Sequence, residues 1–150
     1  MLIAGEPGVG KTTLAAEAAR RAHAAGALVL YGRSEQTLTG PYQPFAEALA
    51  HHVHDASIDV LAGLGDEAAE LARLAPAVRH RLPALPEPKA REHGDRYRLF
   101  GAIARLLAAS GDRLVVLVLE DLHWADAPTL LLLRHLLATS ERLRLVVLAT

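Results

Sequence analysis

The stretch Gly5-Glu6-Pro7-Gly8-Val9-Gly10-Lys11-Thr12-Thr13 decides how the chain is read. A glycine, four residues, then Gly-Lys-Thr is the spacing of a phosphate-binding loop, or P-loop. A polyphosphate is held by several backbone N–H groups turned inward around it, in backbone conformations that only glycine adopts cheaply. Gly8 and Gly10 supply these conformations, and Pro7 stiffens the loop. Lys11 brings a compact positive charge to the β- and γ-phosphates, and the hydroxyl of Thr12 suits Mg²⁺. The helix expected next directs its partly positive N-terminus at the same phosphates. Glu6, Pro7, Gly8, Val9, Gly10, Lys11, Thr12 and Thr13 are therefore the expected nucleotide-binding residues, with the Glu6 side chain facing solvent.

The flanks supply the context such a loop needs. Leu2-Ile3-Ala4 reads as the end of a strand, and Leu14 to Ala25 as a helix with Leu14, Ala18 and Ala22 at helical spacing, closed by Gly26. Leu28-Val29-Leu30-Tyr31, apolar throughout, is a buried parallel strand ended by Gly32-Arg33-Ser34. After the turn Gly40 to Pro44, Pro44 starts a helix with Phe45, Leu49 and Val53 along one face. A short helix is expected from Asp66 to Ala75. Pro83, Pro86 and Pro88 make Leu82 to Lys89 an extended surface connection. From Glu92 the helical period returns, with Leu99, Phe100, Ile103, Leu106 and Leu107 in one stripe up to Gly111. Leu114 to Leu119 is the clearest strand. Asp126 then caps a helix through Leu137, and Leu143 to Ala149 is the last strand.

This alternation predicts an α/β fold: a three-layer αβα P-loop NTPase with a mostly parallel sheet, built from right-handed βαβ units. The chain reads as one partial domain over residues 1–150, incomplete at both ends, with a helical insertion at about 41–110. Hydrophobic residues make up 51% of the 150, enough for a core, and the net charge of −1 gives no strong pull toward nucleic acid or anionic membranes. With no cysteine there is no disulfide and no thiol nucleophile, and no apolar run approaches the ~18 residues of a membrane span. A cytoplasmic location is expected, and no repeat is found.

The second site is the end of the strand Leu114 to Leu119. An apolar strand followed by Glu120-Asp121 is the Walker B arrangement, which brings one carboxylate to Mg²⁺ and another to the attacking water. Both are expected at the C-terminal end of a strand lying beside the P-loop strand. Neighbouring strand residues face opposite sides, so a bend is needed for Glu120 and Asp121 to share one site. Glu120 is assigned to the metal and Asp121 to the water, with the reverse assignment open. The expected catalytic residues are Glu120, Asp121 and Lys11, and the expected metal ligands Thr12, Glu120 and Asp121.

Three stretches together carry a family resemblance: Leu2 to Leu14, Pro41-Tyr42-Gln43-Pro44-Phe45, and Leu117-Val118-Leu119-Glu120-Asp121-Leu122-His123-Trp124-Ala125-Asp126. The sequence resembles the AAA-type ATPase module of STAND-class P-loop NTPases. Such modules occur in LuxR-type transcriptional regulators and in bacterial regulators that also carry cyclase or kinase domains. The resemblance implies ATP binding with Mg²⁺, slow hydrolysis, and use of the nucleotide state as a switch. It places Thr150 where the family has its sensor-1 polar residue, and an arginine shortly beyond it. It implies as partners the nucleotide, the remaining domains of a longer parent, and self-association that depends on nucleotide. DNA would be bound only through a domain outside these residues. Two other readings stand beside it: a module that retains nucleotide without turnover, and a P-loop phosphotransferase.

Other residues have plainer readings. His51, His52 and His54 suggest a metal, but zinc needs three or four convergent ligands and a solvated helix face is the expectation. Arg96, Arg98 and Arg105 read as a solvated helix face. Trp124, the one tryptophan, is expected in the core or in an interdomain contact rather than stacked on adenine. His123 is read as either a γ-phosphate sensor or a packing residue, and Arg33 as a weak candidate for a phosphate contact.

Overall fold

The computed structural model describes residues 1–37, 40–86, 95–139 and 143–150. The P-loop leads into helix α1 (Lys11–Ala24), followed by strand β1 (Leu28–Arg33). Five helices come next: α2 (Gln43–Asp55), α3 (Ile58–Ala62), α4 (Glu67–Leu74), α5 (Ala77–Arg81) and α6 (Asp95–Ala108). Strand β2 (Val115–Glu120), a 3₁₀ turn (Leu122–Trp124), helix α7 (Ala127–Ala138) and strand β3 (Leu145–Ala149) complete the chain.

The three strands form a parallel sheet in the order β1-β2-β3, with Arg33 level with Glu120 and Leu119 level with Ala149. The N-terminal segment lies along the far side of β3. Leu2 bridges Ala149, the Ile3 N–H donates to the Ala149 carbonyl at 2.7 Å, and the Ala149 N–H donates to Met1 at 3.0 Å. This corrects one expectation. The strand carrying Glu120 is not beside the P-loop segment, because β3 lies between them.

Alternation along β2 sorts the core into two layers. Val116 and Val118 pack with Ala15 of α1 and with Leu148. Leu117 and Leu119 face the other way, into a larger cluster with Phe45, Leu49 and Val53 of α2, Phe100 and Ile103 of α6, and Leu132 and Leu136 of α7. Burying a side chain of this size contributes about 1.5–3 kcal/mol. The α2 face predicted by the four-residue spacing is the face that is buried. Phe100 ties α6 to its neighbours, meeting Tyr42 edge-on at 5.9 Å and His135 of α7 at 5.4 Å. Asp126 caps α7 as expected, its Oδ1 accepting from the Thr129 N–H at 2.7 Å.

The helices α3 and α5 were not expected, and α4 is shorter at both ends than the Asp66 to Ala75 reading. The expected extended connection has no regular element over Leu82 to Pro86, and its remainder lies outside the described residues, as do Glu92 to Gly94. No helix among the described residues is long and apolar enough to cross a membrane.

Candidate functional site

The loop between the N-terminal segment and α1 takes the form its glycines allow. Gly8 and Gly10 have φ of +83° and +95°, left-handed values that a side chain makes costly. At both positions an added Cβ would meet open space, so backbone conformation rather than crowding calls for glycine there. Gly10 is also the N-cap of α1. Having no side chain, it leaves the first-turn N–H groups without a side-chain cap, and no acid sits in that turn. The positive end of a 14-residue helix is therefore open to an anion. Lys11 folds back over the loop, its Nζ donating to the carbonyls of Gly5 at 2.8 Å and Glu6 at 2.9 Å. The loop holds its own cation in place.

The second wall comes from the C-terminal ends of the strands. Asp121 follows β2 with φ +55° and ψ +42°, so the chain bends there and turns Asp121 to the cavity, while Glu120 stays buried behind it. Its carboxylate accepts from the Arg33 Nε–H at 2.8 Å, a contact that raises the Arg33 pKa further above its ordinary value. The Asp121 N–H donates to Thr150 Oγ1 at 3.2 Å, and the Leu122 N–H to the Thr150 carbonyl at 2.9 Å. Thr150 thus connects the end of β3 to the bend after β2. Between the loop and this wall lies an open cavity of about 850 Å³, large enough for a nucleotide.

A family model described as an AAA ATPase domain matches residues 1–148. The chain belongs to the AAA ATPase domain family. No curated protein and no solved structure matches it. The parallel sheet with flanking helices is the P-loop NTPase fold that membership implies, and the module is a nucleotide-binding one.

In this AAA ATPase domain the expected residues divide. Pro7, Gly8, Gly10, Lys11, Thr12, Thr13 and Asp121 line this cavity together. Glu6, Val9 and Glu120 do not. Glu120 is 3% exposed and lies on the α1 face of β2, by alternation with Val116 and Val118. Its Oε2 accepts the Tyr31 hydroxyl at 2.6 Å, while Oε1 is buried with no partner among the described residues. Burial, then the bond to Glu120, pushes the Tyr31 hydroxyl pKa up to about 12, so it stays a donor at any working pH. Tyr31 was missed as a site residue. Only the parallel register, which brings β1 beside β2, reveals it.

The oxygen-rich donor set fits Mg²⁺, which takes hard oxygen ligands and keeps several waters. Thr12 and Asp121 face the cavity, and Glu120 keeps an orphaned buried carboxylate oxygen.

Trp124 is not a core residue: it is 45% exposed, lines the cavity, and lies 4.7 Å from the His123 ring between centroids. Arg33 meets Asp121 and also lines the cavity. Of the histidines, His51 and His54 are exposed, and half-buried His52 has its pKa lowered chiefly by burial. Among the described residues no three His, Cys, Asp or Glu side chains converge as a zinc site would need. The α6 arginines are not simply solvated, since Arg105 donates to Glu67 at 3.0 Å and also bonds the Gly63 carbonyl.

Proposed function

We propose that this AAA ATPase domain binds Mg·ATP between the P-loop and the end of β2, and acts as a slowly hydrolysing, nucleotide-dependent switch in a longer bacterial signalling or transcriptional regulator. The observation that carries the reading is the convergence on one cavity of Lys11, the uncapped end of α1 and the Asp121 carboxylate. Lys11 and the first-turn N–H groups would bind the β- and γ-phosphates. Thr12 would hold Mg²⁺ from the cavity wall and Glu120, which lies behind that wall, would act on it through water, and the ion when bound supplies charge neutralisation at the phosphates. Asp121 would orient the attacking water and accept its proton. Arg33 holds Asp121 through an exposed pair of the kind worth about 0–1 kcal/mol, so releasing the acid costs little.

A second reading, retention of nucleotide without turnover, draws support from the same contacts. Asp121 is tied to Arg33 and Glu120 to Tyr31, so both acids are engaged. Calorimetry with ATP, with and without Mg²⁺, followed by phosphate release from the same sample, separates the two. Mg-dependent binding with slow release supports the switch, and binding without release supports retention. Lys11→Ala should lower ATP affinity at least about tenfold and leave the fold intact, because Lys11 bonds only two loop carbonyls. Unchanged affinity in that variant would overturn the assignment of the loop.

A further inference from the structure

A smaller cavity, of about 220 Å³, lies between the end of β1, the start of α2 and the residues leading into α7. It shares Trp124 with the nucleotide cavity but draws its other walls from elsewhere. Ser34 lines it from the end of β1, on the α2 face by alternation with Gly32 and Leu30. Ser34 is 3% exposed, yet its Oγ has no hydrogen-bond partner among the described residues. A buried hydroxyl left unpaired loses its hydration without compensation, so something is expected to meet it. Thr129, beside it, is already used: its Oγ1 accepts from the Tyr42 N–H at 3.0 Å.

The rest of the wall has one sign of charge. Glu35 and Asp126 contribute carboxylates, and among the described residues no lysine, arginine or histidine lines the cavity. Asp126 Oδ1 accepts from the Thr129 N–H, but a carboxylate offers about four acceptor sites, so capping does not exhaust it. Trp124 adds an exposed aromatic ring, the surface on which a cation gains from the ring quadrupole. A water would satisfy Ser34 but would bring no counter-charge to Glu35 and Asp126.

We propose that the Ser34–Asp126–Trp124 cavity binds the head of an alkylguanidinium or alkylammonium cation. Asp126 and Glu35 provide the counter-charge, Trp124 covers the head, and Ser34 Oγ accepts one of its N–H groups. The volume suits one such head with a short alkyl stem. The head comes either from a free small amine or from an arginine or lysine side chain of a second copy. Because Trp124 borders both cavities, a cation here would alter a wall of the nucleotide site.

Trp124 is the chain's one tryptophan, so its fluorescence reports the site directly. Agmatine is titrated into the full chain with and without saturating Mg·ATP. The expected result is a saturable change in both cases, weakened at least tenfold in the double variant Glu35→Gln, Asp126→Asn. Asparagine preserves the cap of α7. Glu35→Gln alone, at an exposed position, and Ser34→Ala should each weaken the response severalfold while melting no lower than the parent, which keeps the test valid if the double variant unfolds. No saturable change up to about 10 mM would overturn the proposal and leave a water site. A change that survives the acid variants would put the cation elsewhere and overturn it equally. Sedimentation on the same samples separates the sources: agmatine bound to an unchanged monomer assigns a free amine, and agmatine dissociating a self-associated species assigns a side chain of a second copy.

Discussion

Glu120 ends β2 with one carboxylate oxygen on Tyr31 and the other bare. Removing the Tyr31 hydroxyl would leave a buried carboxylate with no partner from β1. Tyr31→Phe should therefore destabilise the domain by about 1–3 kcal/mol in urea unfolding. Glu120→Gln in the same background should show coupling of about 0.5–3 kcal/mol in a double-mutant cycle, since the two groups touch. A Tyr31→Phe variant as stable as the parent would show that the contact contributes nothing. The sequence identifies the acids and the glycines because each has a local signature. Gly8 and Gly10 answer to backbone conformation, and Glu120-Asp121 to the end of an apolar run. Tyr31 has none, because its partner is 89 residues away and parallel register is not written in either strand alone.

Among the elements, α2 shows how closely the helical layer is fitted to the sheet. A Cβ on Gly32 would lie 1.8 Å from the Pro44 carbonyl oxygen, a backbone atom that cannot turn aside. Gly32→Ala must push the start of α2 off β1, and with it Phe45 and Ser34's side of the sheet. A loss of about 3 kcal/mol or more is expected in denaturant unfolding, against a change within about 0.5 kcal/mol for Gly40→Ala, where added volume meets open space. Equal midpoints for the two variants would mean that α2 slides freely. The long helices α1, α2, α6 and α7 were legible from their periodic faces and from the Asp126 cap. The five-residue helices α3 and α5 were not, because so short a segment holds too little of a 3.6-residue period to distinguish it from a turn. For α3 one local signal exists: Ser57 accepts the Val60 N–H at 3.2 Å, an N-cap.

For the whole molecule, the parallel sheet was legible from the alternation of elements, but the order of its strands was not. Crossover handedness constrains each βαβ unit without saying which strand lies between two others. With β3 in the middle, the P-loop and the acids are joined through Thr150 and through the backbone bonds of Met1 and Ile3 to Ala149. Both walls of the cavity therefore rest on β3, and a ligand that touches both has full affinity only for the folded chain. A ligand that binds only the folded state at one hundred times its dissociation constant adds about 2.7 kcal/mol, which for a domain of this size raises the thermal midpoint by about 5–11 °C. Mg·ATP should give that rise, ATP with a chelator a smaller one, and Lys11→Ala little or none. Differential scanning fluorimetry measures all three at matched nucleotide concentration. A parent midpoint that ignores Mg·ATP would mean that the two walls do not form one site. A rise of the same size in Lys11→Ala would mean that the stabilising ligand sits away from the loop, and that the role of Lys11 is confined to its bonds with Gly5 and Glu6.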